Sequence, residues 1–308
     1  MAPVFAALFP VFLLIVGGFV LRRVLIAEDA HWIGLERLLY YVMFPALLIG
    51  TMARADLSKV PVAAVGGTMF VSVLLMAALC FALRPLLART LGMDGPAFTS
   101  LFQGATRWQT FVALPVAGNL FGDLGLALAS VAMVAMTPVL NVLCVWTLVH
   151  YASPNTADWR TVSIAIAKNP LIWACVIGIA LNPVASAIPQ PVNALIDALG
   201  RSSLALGLLI VGAGLRIGEI IRVRPLTLTA CVIKLVAMPA VAIALALACG
   251  LSGANLTVVV CCTAVPAASN SYILARQMGG DAPLMAQIIT VETLIAVVTM
   301  PIAIGIVT

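Results

Sequence analysis

Gly95-Pro96-Ala97-Phe98-Thr99-Ser100-Leu101-Phe102-Gln103-Gly104-Ala105-Thr106-Arg107-Trp108-Gln109-Thr110 holds its polar residues at the middle of an apolar run, which continues from Phe111 to Pro115 and reaches Gly118-Asn119. A second run has the same build, with Val265-Pro266-Ala267-Ala268-Ser269-Asn270-Ser271-Tyr272 near its centre. Proline removes a backbone donor and clashes with the preceding turn. Small polar side chains beside it can occupy the backbone groups so freed. Both runs are therefore expected to be interrupted helices. A break at mid-membrane leaves half-helices whose N-termini carry partial positive charge and free N–H groups, which suits an anion. Transporters place substrate at such breaks. One such helix reads more simply as a proline kink with packed Ser and Asn; two at matching positions favour a binding site.

The rest of the chain makes water an unsuitable solvent. Of its 308 residues, 63% are hydrophobic and 9% charged, and the mean hydropathy is +1.18. A soluble domain carries about 25% charged residues. Apolar stretches of roughly 20 residues, the length of a spanning helix, recur from one end to the other. No hydrophilic stretch is long enough for a separate soluble domain. The formal net charge of +5 sits mostly in short loops, where it marks a membrane side; no nucleic-acid partner is expected. The seven cysteines lie in apolar stretches, where Cys behaves as a small hydrophobe. Their spacing suggests neither zinc nor an iron–sulfur cluster, so no metal and no cofactor are expected. There is no His-Glu-x-x-His, no Gly-x-Ser-x-Gly elbow and no Gly-x-x-x-x-Gly-Lys-Ser/Thr loop. Their absence argues against an intramembrane enzyme and against direct nucleotide drive.

Apolar runs broken by charge or by Gly and Pro give ten spans: 3–23, 34–53, 61–83, 96–120 and 123–150, then 169–188, 192–215, 225–249, 254–277 and 283–306. The fold class read from them is an all-α integral membrane protein. Residues 1–150 form a first five-helix unit, 151–168 a connector, and 169–308 a second unit. Five spans per half is an odd number, so similar halves must face opposite ways, as in an inverted repeat. Loop charges set the orientation. One set of loops holds Arg22, Arg23, Arg37, Arg84, Arg89, Arg160, Lys168, Arg216, Arg222, Arg224 and Arg276; the other holds Arg54 and Lys59. By the positive-inside rule both termini lie outside and the connector lies in the cytoplasm. The first run, with Arg22 and Arg23 after it and no basic segment before it, reads as a retained helix rather than a signal peptide.

A charge at the bilayer centre costs about 2.5–3.5 kcal/mol on insertion scales, so it needs a partner or a task. Arg107 falls near the middle of the fourth span, and Trp108 accompanies it. A guanidinium can grip a carboxylate with two parallel hydrogen bonds, which favours substrate contact over the capping of an unwound helix. Lys234 in the eighth span and Glu292 in the tenth should share a depth. They are expected to form either a static ion pair or a proton-coupling site, and the sequence leaves both open. Asp197 and Arg201 have the spacing and order of a helical ion pair.

The motifs resemble one family over nearly the whole chain. They are Phe44-Pro45-Ala46-Leu47; Asn169-Pro170-Leu171-Ile172 with Gly178 and Asn182; Gly212-Ala213-Gly214-Leu215-Arg216; Lys234-Leu235 with Met238-Pro239; and Pro266 to Tyr272 continuing to Gly279-Gly280-Asp281. The sequence resembles the auxin efflux carrier family, which includes PIN-type plant auxin exporters and bacterial malonate and malate carriers. The resemblance implies two inverted five-helix repeats with crossing broken helices four and nine, the fold of sodium/proton antiporters and bile-acid transporters. Helices one, two, six and seven are then a scaffold and the others a moving core. It makes Pro115 and Pro266 the matching crossover prolines, and Asn270 and Tyr272 lining residues. Arg107-Trp108-Gln109 replaces the small or amide-bearing break common in that family, and Glu292 stands where Gln is common. The short connector is unlike that of the regulated plant type.

The expected function is secondary transport of a small organic anion, a mono- or dicarboxylate, across an inner (plasma) membrane by alternating access. The expected substrate site is Arg107, Trp108, Gln109 and Thr110 at one break, with Ser269, Asn270 and Tyr272 at the other. Protons or sodium are candidate coupling ions, the bilayer is the solvent, and a homodimer is left open by the Ala/Gly-rich helices. The alternatives are a cation/proton exchanger on the same fold and a receptor that binds without flux.

Overall fold

The computed structural model describes residues 2–55, 61–152 and 170–308. Lys59, Arg160, Lys168, Asn169 and almost all of the 151–168 connector lie outside the described residues. The described residues are helical, with no strand among them. Helix α1 is Ala2–Val24, α2 is Asp29–Arg54 and α3 is Val62–Leu91. Helix α4, Gly95–Thr106, is followed by α5, Thr110–Tyr151. Then come α6, Pro170–Leu181, and α7, Gln190–Ala213; α8, Pro225–Ala248; α9, Gly253–Thr263, and α10, Asn270–Met278; and α11, Ala282–Val307. Seven helical stretches are long and apolar enough to span a membrane, and Pro170–Ala185 and Gly253–Thr263 are shorter apolar helices.

One of the seven, Gly95–Tyr151, runs for 57 residues. As a straight helix it would measure about 85 Å, nearly three times the hydrocarbon thickness. Two devices divide it. Residues Arg107 to Gln109 leave the helix, Arg107 being extended at φ −72 and ψ 153. Farther on, Gly122 takes φ 58 and ψ −138, a backbone state open to glycine. A Cβ on Gly125 would fall 2.0 Å from the Ala117 carbonyl oxygen. Those residues would stand about 12 Å apart along a straight helix, so the chain doubles back at Gly122. Residues 123–151 are thereby a separate leg, as the apolar run at 123–150 anticipates.

Two further distortions follow from proline. Met238-Pro239 is preceded by a π turn at Ile233–Ala237, and Phe44-Pro45 by one at Leu39–Met43. Proline offers no N–H, and a π turn widens the helix locally to accommodate the loss, often at functional positions. Lys234 and Tyr40 sit in these turns.

Helices α1, α2, α6 and α7 pack together, α1 on α7 and α2 on both α6 and α7. These are the helices that the resemblance groups as a scaffold. Small residues allow the approach: a Cβ on Gly18 would lie 1.9 Å from the Leu209 carbonyl oxygen, and one on Gly212 would lie 1.8 Å from that of Ile15. Between helices in lipid, such close backbone packing stands in for the hydrophobic drive that water supplies elsewhere. Asn182 closes the end of α2, its Nδ2 donating to the carbonyls of Met52, Ala53 and Ala55 at 3.0, 2.9 and 2.8 Å. Asp197 bonds Arg54 at 2.5 Å, which replaces the expected helical partnership with Arg201: an acceptor on α7 reaches across to α2. The remaining helices pack on one another. Helix α5 contacts α3, α4 and α9, and α8 contacts α3, α4, α9 and α11.

Replacing Gly212 with Ala puts a methyl group where a backbone oxygen of α1 stands. It should destabilise the protein by about 1–3 kcal/mol, read as a lowered unfolding midpoint of the purified protein in detergent. Gly34→Ala, where no atom lies within 4 Å of the new Cβ, should not lower the midpoint and should raise it slightly, because Ala is the better helix former.

Candidate functional site

The two interruptions meet. The Gln109 N–H donates to the Pro266 carbonyl at 2.9 Å, and Gln109 Nε2 donates to Ser269 Oγ at 2.7 Å. In lipid a free backbone group costs several kcal/mol, so each break satisfies the other. Pro266 is the natural place for the second break because it cannot continue the ladder of α9. Its neighbour Ala267 donates its N–H to Glu292 Oε2 on α11 at 2.8 Å.

The first break contains no proline, which corrects one expectation. Pro115 lies inside α5, beyond the break, and does not match Pro266 in position. The interruption falls at Arg107-Trp108-Gln109 instead, where Gln109 turns its main chain and its amide toward the other break. Thr106 Oγ1 donates to the Phe102 carbonyl at 2.7 Å and covers an end of α4.

A cavity of about 110 Å³ lies at this crossing, lined by Arg107, Trp108, Gln109 and Thr110 from one break and by Ser269 and Asn270 from the other. Glu36 and Tyr40 of α2, and Thr137 and Asn141 of α5, complete its polar wall. Arg107 is 9% exposed, and its Nη2 donates to Asn141 Oδ1 at 3.2 Å. The first residues of two half-helices, Thr110 of α5 and Asn270 of α10, border the same space. Helix N-termini and a guanidinium all favour negative charge. The arrangement can therefore hold an anion.

Tyr272 is the one expected lining residue that stands elsewhere. It borders a second cavity, of about 220 Å³, with Arg22, Arg216, Arg276, Trp32 and Asp29. The Arg216 guanidinium lies 4.6 Å from the centre of its ring. Glu36 and Ser269 border both cavities. A third cavity, of about 330 Å³, lies at the far ends of α2 and α7 and includes Arg54, Asp123, Asp197 and Arg201.

Lys234 and Glu292 are both fully buried and line none of these cavities. Neither Lys234 Nζ nor Glu292 Oε1 has a hydrogen-bond partner, and no ion pair within 4.0 Å joins them among the described residues. The expected bridge is not made, because Glu292 turns its other oxygen to the Ala267 N–H at the second break. Glu292 is thus a positioning group for that break in this conformation. Gln103 on α4, also buried, leaves both its amide atoms without partners.

Three residues of the central cavity escape a sequence reading. Asn141 follows Pro138 in an apolar run, a polar residue with no evident role. Tyr40 sits in a π turn that no spacing reveals. Glu36 falls near the start of the expected span at 34–53, beside the loop-assigned Arg37, and draws no notice there; α2 begins at Asp29 and carries Glu36 well along the helix.

A chain of apolar helices with a cation and two half-helix N-termini around a buried cavity has the build of a multi-pass membrane transporter. Residues 3–304 match the model of a family described as "Membrane transport protein", and the chain belongs to this auxin efflux carrier family. Members of that family are transporters rather than enzymes. Comparison with curated proteins returned no match.

The crossing bonds yield a stability prediction. Gln109→Ala and Ser269→Ala should each cost about 1 kcal/mol, and the double substitution should cost less than their sum, by about 0.5–1.5 kcal/mol. Strict additivity in unfolding midpoints would mean that the bond between them contributes nothing.

Proposed function

We propose that the protein is a secondary carrier of a small organic anion, a mono- or dicarboxylate, held at the crossing by Arg107 and the N-terminal turns of α5 and α10. One observation carries this reading. A buried guanidinium whose hydrogen bond goes to a neutral amide shares a cavity with two half-helix N-termini. A carboxylate answers all three at once. Trp108 and Thr110 would flank it and Asn270 would orient it, while Gln109 and Ser269 hold the breaks together. Tyr272, with Arg216, would border the way in.

The finer architecture belongs to the same proposal: ten spans in two inverted five-helix repeats, 1–150 and 169–308, joined at 151–168. The breaks at 107–109 and 264–269 fall in corresponding spans, which supports a repeat. The gathering of Arg22, Arg216 and Arg276 around one cavity supports the cytoplasmic side there and both termini outside an inner membrane. Cavities at both ends of the α1, α2, α6 and α7 panel, with the central one between, support alternating access. In it the other helices would rock past that panel. Protons, sodium or the substrate gradient itself would drive the cycle.

A second reading, cation/proton exchange, is favoured by the buried carboxylate of Glu292 with one oxygen unpartnered beside the second break. Glu292→Gln keeps an oxygen for the Ala267 N–H. On the anion reading this variant retains transport; loss of all transport in a folded Glu292→Gln protein would favour the exchanger.

Arg107→Ala should weaken binding of the effective carboxylate by about tenfold to a hundredfold, the worth of one charge-assisted hydrogen bond. Thermal stabilisation of the purified protein by a panel of small carboxylates reads this directly. The yield of folded protein should not change. Undiminished stabilisation in Arg107→Ala would overturn the assignment.

A further inference from the structure

Among the described residues Glu36 forms no ion pair and no hydrogen bond through its carboxylate. It is a half-buried acid on a membrane helix, and it borders both the central cavity and the wider one beside it. Ser269, locked to Gln109 at the crossing, is the other polar residue common to both. Glu36 and Ser269 therefore form the neck between the two spaces.

His31, Arg37 and Tyr41 of the same helix are exposed, and the other charged or titratable groups near Glu36 border the two cavities. On its own helix are Asp29, which pairs with Arg22 of α1 at 2.5 Å, and Tyr40, which lines the central cavity. Arg22 also donates to the Ala213 carbonyl at 2.6 Å. Arg107, across the central cavity, bonds Asn141. Beyond α7, Arg216 covers the ring of Tyr272, and Arg276 of α10 borders the wider cavity. The neighbouring arginines with defined partners face groups other than Glu36, so the carboxylate is not neutralised by contact.

We propose that Glu36 is the proton-coupling carboxylate of this carrier: an anion settles beside Arg107 together with a proton on Glu36. The inference rests on the anion reading of the central cavity and adds its coupling ion. In a space of about 110 Å³, a bound carboxylate lies within a few ångströms of every wall. An ionised Glu36 repels it, and a protonated Glu36 does not. Binding of the two is then linked, and the proton reaches Glu36 through the wider cavity. Net movement is one proton with each anion, whatever the charge of that anion. The linkage is reciprocal: whatever protonation does for anion affinity, the anion does for protonation. Lys234 and Glu292 take no part, because they line neither cavity.

The test uses the full chain in detergent with formate, pyruvate and oxalate as probes, all of which stay ionised between about pH 6 and about pH 8. Affinity is measured by thermal stabilisation or calorimetry. For the wild-type protein, affinity should fall with rising pH, by at most about tenfold per pH unit for one linked proton. Glu36→Gln should bind at least as tightly as the wild type at the acid end and should show no such slope. A wild-type slope retained in Glu36→Gln overturns the proposal, as does a wild-type affinity independent of pH. A folded Glu36→Gln protein that has lost anion binding overturns it too, because Glu36 would then be aiding binding rather than opposing it. Glu36→Ala carries the same expectation and replaces the amide variant if that one does not fold. If none of the probes stabilises the wild type at either pH, the anion reading itself fails. That outcome is distinct from a failure confined to the slope.

Discussion

Backbone groups freed at the centre of a membrane have no water to turn to, and this constraint organises the structure. Two helices are interrupted, and each interruption supplies what the other lacks. Gln109 gives its main-chain N–H to Pro266 and its side-chain amide to Ser269, while Glu292 receives the N–H of Ala267. With these bonds made, the half-helices can begin afresh at Thr110 and Asn270 and point their N-termini into one small cavity. Without them the breaks would be too costly to keep. The polar cavity is thus a by-product of satisfying the crossing, and Arg107 gives it a group that attracts negative charge.

The packing around the crossing divides into two kinds. Between α1, α2, α6 and α7 backbones approach closely through Gly18, Gly178, Gly200 and Gly212, and an asparagine on the turn after α6 closes the end of α2. The other helices carry both breaks, a π turn and the buried polar residues Gln103, Lys234 and Glu292. A closely packed panel beside a polar, interrupted set of helices is the division of labour that the proposed alternating access calls for.

Much of the fold was legible because membrane solvent imposes simple rules. Apolar runs read as helices, and the first and last match closely: 3–23 became Ala2–Val24 and 283–306 became Ala282–Val307. The polar centres of the fourth and ninth runs gave both breaks, and Arg107, Gln109, Ser269 and Asn270 line one cavity there. What the sequence hid depends on where chains turn in three dimensions. Pro115 looked like a partner for Pro266, but the first break is fixed by hydrogen bonds from Gln109 rather than by a proline. Shared depth suggested a bridge between Lys234 and Glu292, yet an N–H at the second break competes for the carboxylate. Asp197 had a helical neighbour at the right spacing and found Arg54 on another helix instead. Glu36, near the start of the expected span at 34–53, was concealed beside Arg37, because a charge at the edge of a span reads as interfacial until the helix is seen to start at Asp29.

The most direct test of the central claim is uptake of a radiolabelled small carboxylate, chosen by its ability to stabilise the purified protein, into liposomes containing the wild-type chain. The account predicts saturable uptake that excess unlabelled anion suppresses and that protein-free liposomes lack. Binding without uptake, or exchange of cations for protons with no movement of the anion, would contradict it.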